Sequence, residues 1–338
     1  MELKGLKVAV LSGGRSAERE VSLKSGERVM EALKELGCDA VQVDPSAEYV
    51  SEPDAESPCE LGKLRIGRAG ASDLCEFTAS SLEICRRSDV VFMALHGGAG
   101  ENGMICAVLE CNGIRHTGSD FRGLCLAMDK VISKRLMQSA GLLTPEFFVC
   151  EDTNAFDAVK LRELPRLLDF PWVIKPVDGG SSLGVKMVDS PNQLRELLVR
   201  EPLCLRNGLV ERRIKGREFT VGVLNGKALA VTEIIPLSGF YDYRNKYVKG
   251  RTQEITPAII SEKLTEKLKD AAIRAHNVLF LGAYSRVDMI LEEGTERIYL
   301  LEVNALPGMT ETSLLPQGAA ACGISFARLC ACMIESAI

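Results

Sequence analysis

Short runs of consecutive apolar residues alternate with stretches of helical spacing in the first third of the chain. Lys7–Leu11 (KVAVL) reads as a buried strand, followed by the tight turn Ser12-Gly13-Gly14. Val21, Val29, Leu33 and Leu36 then recur at helical spacing, with Lys24, Glu27 and Arg28 off that stripe and Gly37 as the stop. Ala40–Val43 is the next strand, and Asp89–Leu95 (DVVFMAL) is another, which delivers His96-Gly97-Gly98 to its carboxyl end. Strand, Gly-rich turn, helix and strand open a parallel α/β sheet, and ligands of such sheets bind at the carboxyl edge.

The pattern changes around Thr117–Asp120, where helices and mixed strands take over, so a first boundary is expected there. Trp172–Lys175 reads as a strand, as do Leu209–Glu211, Phe219–Leu224, Ala228–Ile235, Tyr284–Leu291 and Ile298–Val303. Asn225-Gly226 and Glu293-Gly294 supply turns between them, which indicates an antiparallel sheet. Pro45–Arg65 lacks periodicity and reads as a surface excursion. Phe326, Leu329, Cys330, Met333 and Ile334 fall at helical spacing and predict a core-facing helix near the carboxyl end.

At 338 residues, two to three domains are expected. A 46% apolar content is enough for a large core, and the net charge of −5 argues against nucleic acid or an anionic membrane as the main partner. Neither a signal peptide nor a run of about 18 apolar residues is visible, so a soluble cytoplasmic protein is expected. The 12 cysteines include no C-x-x-C pair, and most of them read as small buried hydrophobes.

The sharpest chemical signal is a pair of short polar patterns. In Arg286-Val287-Asp288 the outer residues share one face of a strand, and Glu302-Val303-Asn304 repeats the arrangement. On neighbouring strands they would bring two carboxylates and an amide oxygen together, an all-oxygen set suited to Mg²⁺ beside nucleotide phosphates. A salt-bridged strand surface is the plain alternative, and the immediate strand break at Asn304-Ala305-Leu306-Pro307-Gly308 favours the metal.

Gly179-Gly180-Ser181-Ser182-Leu183-Gly184 is a candidate phosphate cradle, since glycines let backbone N–H groups approach an anion. A P-loop is excluded, because Val185 and Lys186 stand where Lys and Ser or Thr are required. Glu18 is expected in the first turn of a helix at the carboxyl edge of the first sheet, where a helix-dipole role is the plain alternative. Lys130, Lys175 and His96, each taken alone, read as ordinary structural or surface groups. Leu237–Glu254, with three tyrosines, Lys246 and Lys249, suits a lid over a charged substrate.

Taken together, these segments resemble the D-alanine–D-alanine ligases of the ATP-grasp superfamily. The resemblance rests on GGRSAEREVSLKSG (13–26), LHGGAGENG (95–103), HTGSD (116–120), MDK (128–130), KPVDGGSSLGV (175–185), KGREFTVGVL (215–224), NKY (245–247), RVDMI (286–290) and LEVNALPGMTETSLLP (301–316). It implies an ATP-grasp fold combining α/β and α+β parts. These would be an N-terminal Rossmann-like parallel domain over 1–117, a small central α+β domain over 118–210 and a C-terminal antiparallel-sheet α+β domain over 211–338. It further implies ligation of two D-alanines through an acyl phosphate, with ATP consumed, in cell-wall precursor synthesis, by a homodimer.

By motif, the resemblance assigns Glu18 to the ammonium of the first D-alanine, bridged to Ser181 and Tyr247, with His96 nearby. Lys130 and Lys175 would hold the nucleotide phosphates, Lys246 the transferred one, and Glu211, Arg212, Ile214 and Glu218 the adenosine. Asp288, Glu302 and Asn304 match a site for two Mg²⁺ or Mn²⁺ ions. Arg286 and the Gly308 N–H would stabilise the oxyanion, and Ser313 would bind the second carboxylate. Asn102, Cys106-Ala107, His116 and Ala305 depart from the family's usual residues. A ligase taking D-lactate or D-serine second is the nearest rival, and Tyr247 favours an amine nucleophile.

Overall fold

Val8 to Leu11 are all fully buried, which is what an uninterrupted apolar run requires of a strand covered on both faces. The computed structural model describes residues 3–50, 65–66, 77–150, 168–180, 184–201, 208–237 and 252–338. Strand β1 (Lys7–Leu11) is the centre of a parallel sheet of order β2-β1-β5, with β2 at Asp39–Val43 and β5 at Val90–Met93. Between β1 and β2 runs α1 (Arg19–Glu35), which buries Val21, Val29 and Leu33 and ends as Gly37 turns at φ 75°. Glu18 is the N-cap of that helix rather than a member of its first turn, because its carbonyl accepts the first helical bond, from Ser22.

The excursion after residue 44 carries one short ladder at its described ends, β3 (Tyr49–Val50) against β4 (Arg65–Ile66). Helix α2 (Ala79–Arg86) leads back to β5. Next come α3 (Gly98–Glu101), α4 (Met104–Cys111), α5 (Phe121–Met128) and α6 (Lys130–Ser139). Asp129 caps α6 by accepting from the N–H groups of Val131 and Ile132, and this fixes Lys130 as the first helical residue.

A second sheet, antiparallel and of order β6-β9-β7-β8, follows, with β6 at Phe147–Cys150, β7 at Trp172–Pro176, β8 at Lys186–Val188 and β9 at Gly208–Arg212. Helix α7 (Pro191–Arg200) covers it, and Trp172, Ile174, Val188, Leu194 and Val210 form its own small core. The expected boundary between residues 210 and 211 falls inside β9, so this sheet continues to Arg212.

The third sheet is antiparallel, of order β12-β11-β10-β13-β14. Its strands are β10 (Gly216–Leu224), β11 (Lys227–Pro236), β12 (Thr252–Ile255), β13 (Tyr284–Glu292) and β14 (Ile298–Asn304). Asn225 and Gly226 both take positive φ, 49° and 73°, as a two-residue hairpin turn demands. Helices α8 (Glu262–Val278), α9 (Leu314–Ala321) and α10 (Phe326–Glu335) complete the fold, and α10 buries the expected Leu329, Cys330, Met333 and Ile334. The first and third sheets share one continuous core, in which Val29 and Leu33 of α1 belong with Leu329 and Met333 of α10. Among the described residues no single helix is long and apolar enough to cross a membrane.

Candidate active site

The two polar patterns meet as their spacing requires. In the β13–β14 ladder Arg286 faces Asn304, Val287 faces Val303 and Asp288 faces Glu302, with an irregularity just beyond Asp288. Val287 and Val303 are buried, so the four polar side chains share the opposite face. Both oxygens of Asp288 accept from Arg286, Oδ1 from Nε at 2.9 Å and Oδ2 from Nη2 at 2.8 Å. Thr220, across the β10–β13 ladder, donates to Oδ1 at 2.6 Å.

Asp288, Glu302 and Asn304 offer only oxygen donors. Among the described residues no group of three His, Cys, Asp or Glu assembles. A hard cation that takes its remaining ligands from phosphate and water fits this set, and a thiolate- or imidazole-bound metal does not. Asp288 retains acceptor capacity, since a carboxylate has about four lone-pair sites.

These carboxylates open onto a cavity of about 610 Å³ between the second and third sheets. Lys130, Lys175, Glu211, Arg212, Ile214 and Glu218, all expected at the nucleotide, line it together with Asp288 and Glu302. Val173, Met187, Ile290 and Leu301 give it apolar walls, as a flat heteroaromatic base requires. Asn304 lines a smaller adjoining space with Glu302, Lys130, Gly179 and Gly180. Glycines 179 and 180 follow β7, and the start of α6 is tied to the same turn. The Lys130 N–H donates to Val177 O, and its ammonium donates to Gly179 O.

Neither Lys130 nor Lys175 is the surface ammonium that its sequence context suggested, as they are only 8% and 7% exposed. Lys175 Nζ lies 2.5 Å from Glu211 Oε1. On the other side of that carboxylate Lys134 Nζ lies 2.8 Å from Oε2, and neither atom has another hydrogen-bond partner among the described residues. Burial pushes Lys134 down to about 8, opposed by Glu211. For Glu211 burial works upward, but Lys134 and Lys175 together hold it below the usual carboxylate range. Burial also lowers Lys130, and Glu302 opposes this. Sequence reasoning missed Lys134, although it stands one helical turn after Lys130 on α6 and therefore on the same face.

The first sheet contributes the other wall. A Cβ added to Gly97 would meet Glu18 Oε2 at 2.5 Å and one added to Gly180 would meet it at 2.9 Å, so glycine at both positions admits that carboxylate. Glu18 thus sits beside the residue preceding Ser181, while Ser181, Tyr247 and Lys246 lie outside the described residues. His96 is buried, with Nε2 at 3.0 Å from Ser25 Oγ and Nδ1 at 3.8 Å from Glu101 Oε1. Ser25 Oγ also accepts the Met309 N–H at 3.3 Å, which ties His96 through Ser25 to the loop after β14.

Gly308 and Ser313 belong to the loop that follows β14, and a Cβ at Gly308 would meet Ser313 Oγ at 2.6 Å. Ser313 Oγ accepts the Thr310 N–H at 2.9 Å. Arg28 of α1 donates to the carbonyls of Met309 and Thr310, at 3.1 and 2.5 Å, and stacks on Phe326 at 3.8 Å. Arg28 looked like a solvent-facing residue in the helical pattern, and no local signal marks its partners, which lie some 280 residues away.

The unusual residues mostly stand back from this site. Asn102 closes α3, its side chain accepting the Met104 N–H. Cys106 is buried 4.0 Å from His116 Nδ1, whose other nitrogen lies 3.2 Å from Glu110. Ala305 lines the small space next to Asn304.

A lysine-lined cavity between two antiparallel sheets, closed by an acidic pair on one sheet and a Gly-rich turn on the other, defines an ATP-dependent ligase of the ATP-grasp class. Comparison with known proteins gives the family. Residues 7–119 match the model described as the D-ala D-ala ligase N-terminus, and residues 136–335 match the corresponding C-terminus. A D-alanine–D-alanine ligase of Gluconobacter oxydans is 40% identical over 337 residues, covering 98% of this chain and 99% of that protein. The crystal structure of the Bacillus anthracis D-alanine–D-alanine ligase complexed with ATP superposes with a TM-score of 0.73 at 28% identity, covering 98% and 97% of the two chains. The VanG D-Ala:D-Ser ligase of Enterococcus faecalis superposes at 0.78 with 27% identity, covering 99% and 100%. The chain belongs to the D-alanine–D-alanine ligase family.

Proposed function

We propose that this enzyme joins two molecules of D-alanine through a D-alanyl phosphate, with Asp288, Glu302 and Asn304 holding two Mg²⁺ or Mn²⁺ ions beside ATP. The observation that carries the reading is the single cavity that joins Lys130 and Lys175 to Asp288 and Glu302. The first carboxylate attacks the γ-phosphorus and ADP leaves. The free amine of the second D-alanine then attacks the acyl carbon, phosphate leaves, and the nitrogen gives up a proton. When bound, the metal ions neutralise phosphate charge and align the oxygens for transfer.

The chain's own groups serve positioning and charge. Glu18 fixes the first ammonium, beside Ser181 and Tyr247, with His96 and its partner Ser25 shaping the subsite. Lys130, Lys175 and Lys246 hold the phosphates. Glu211, Arg212, Ile214 and Glu218 hold the adenosine. Arg286 and the Gly308 N–H face the oxyanion, and Ser313 the second carboxylate. The lid expected from sequence over 237–254, of which 238–251 lie outside the described residues, has the role of keeping water from the acyl phosphate.

The three-domain division is retained with its second boundary moved past Arg212, the end of β9. We further infer a cytoplasmic homodimer. Exposed Met104 and Val108, one turn apart on α4, and exposed Phe121 on neighbouring α5 support a face for self-association.

The test is ADP and phosphate release with and without D-alanine, with products resolved when D-alanine, D-serine and D-lactate compete. D-Alanine-dependent release with D-alanyl-D-alanine as the main product is expected. Exclusive use of D-serine or D-lactate would sink the assignment of the second substrate, and no D-alanine-dependent release would sink the whole reading.

A further inference from the structure

Behind the phosphate-facing wall of the cavity stands a charge that has no place in the reaction as described. Lys134 is fully buried and is absent from the cavity lining, yet it reaches the same carboxylate that holds Lys175. Its side chain is 1% exposed, that of Glu211 3% and that of Lys175 9%, so the three form a gradient from the interior to the cavity. Two ammonium groups share one carboxylate, and the trio therefore carries one surplus positive charge. The surplus reaches the cavity only through Lys175.

A buried charge without a counter-charge is unfavourable, and a fold keeps one mainly where an anion arrives to meet it. Packing alone does not account for Lys134, since a Met of similar length would fill the space and spare the desolvation. Nor does hydrogen bonding, because apart from their mutual contact neither Lys134 Nζ nor Glu211 Oε2 has a partner among the described residues. What the ammonium does supply is charge. Without it, Glu211 and Lys175, already 2.5 Å apart, would form a neutral ion pair and leave Lys175 no surplus charge to offer.

We propose that Lys134 is a positioning residue for nucleotide binding: by neutralising Glu211 from behind, it leaves the charge of Lys175 available to the phosphates of a nucleoside di- or triphosphate. This rests on reading the cavity as the ATP site. Lys130, Glu302 and the ring of Phe147, whose centroid is 5.9 Å from Lys134 Nζ, complete the surroundings without altering the trio's balance.

Calorimetric titration of ADP, with adenosine as a phosphate-free control, separates the possibilities. In Lys134→Met, ADP affinity is expected to fall at least about tenfold, while adenosine affinity stays within about threefold of wild type. In Lys134→Met/Glu211→Gln the carboxylate is gone as well, the surplus charge is restored at Lys175, and the ratio of ADP to adenosine affinity is expected to return to within about threefold of wild type, whatever Glu211 itself contributes to the adenosine. Equal loss of ADP and adenosine in the single variant, or a ratio still at least about tenfold below wild type in the folded double variant, would overturn the proposal. The double variant carries the test by itself if the single one does not fold. A wild-type protein that binds no ADP would instead overturn the nucleotide reading, and this inference with it.

Discussion

Glu302 faces Asp288 across the β13–β14 ladder and lines the cavity, and in the proposed function its negative charge meets phosphate-bound cations there. Glu302→Gln preserves shape and removes that charge. Turnover is expected to fall about 10²–10³-fold, the scale of losing one preorganised electrostatic contact, with little change in melting temperature. ADP release at limiting and at saturating Mg²⁺ checks it, and unaltered turnover at limiting Mg²⁺ would refute the metal assignment. Lys134 sets a different pH signature. Its ammonium is held near 8, whereas an unperturbed lysine titrates at 10.5. Between those values the unfolded chain binds more protons, so this group's burial penalty, complete below about 8, is relieved as pH rises toward 10.5. Melting curves of wild type from pH 7.5 to 10.5 should therefore show an upward contribution that is lost in Lys134→Met/Glu211→Gln. A residue-scale reading of sequence could not place this lysine. In an amphipathic helix a lysine ordinarily faces water, and only the approach of Glu211 from β9 gives it another place.

The elements tell a more favourable story for the sequence. Strands β1, β10, β11, β13 and β14 were legible because long apolar or alternating runs end in turn residues such as Asn225-Gly226. Strands β6 and β8 were not, since four half-buried residues and three residues carry too short a pattern to be told from loop. The same limit applied to β12, which spans Thr252–Ile255 at the edge of the third sheet. The Arg286–Asp288 and Glu302–Asn304 pairs were legible because a strand's two-residue period fixes their common face, and only their adjacency had to be supplied by the fold. Helix α1 carried information that no period reveals. It positions Glu18 at its start and, through Ser25 and Arg28, holds the loop bearing Gly308 and Ser313. Arg28→Ala removes two hydrogen bonds from a charged donor, worth about 1.5–3 kcal/mol each, and is expected to raise KM for the second D-alanine at least about tenfold with KM for ATP unchanged. Steady-state kinetics with each substrate varied in turn would show it, and an equal rise in both constants would count against this division of labour.

On the scale of the whole molecule, two apolar cores meet at the cavity. The first and third sheets share one, and the second sheet has its own, built around Trp172 with Phe170 stacked on it at 4.0 Å. Nucleotide bound between the second and third sheets contacts both bodies, so its binding energy is added to their association. Without ligand, calorimetric melting is expected in two overlapping steps, and ADP at about 100 times its Kd should add about 2.7 kcal/mol and draw them together. A single step that ADP does not move would contradict this arrangement. The shared core has another consequence, one that concerns biosynthesis. Val29 and Leu33 of α1 are covered in common with Leu329 and Met333 of α10, and Arg28 stacks on Phe326. A ribosome delivers α1 long before α10, so during translation the amino-terminal sheet carries a bare apolar flank that only distant downstream residues can cover. The nascent chain is thus a natural client for chaperones that shield such surfaces until synthesis passes Glu335.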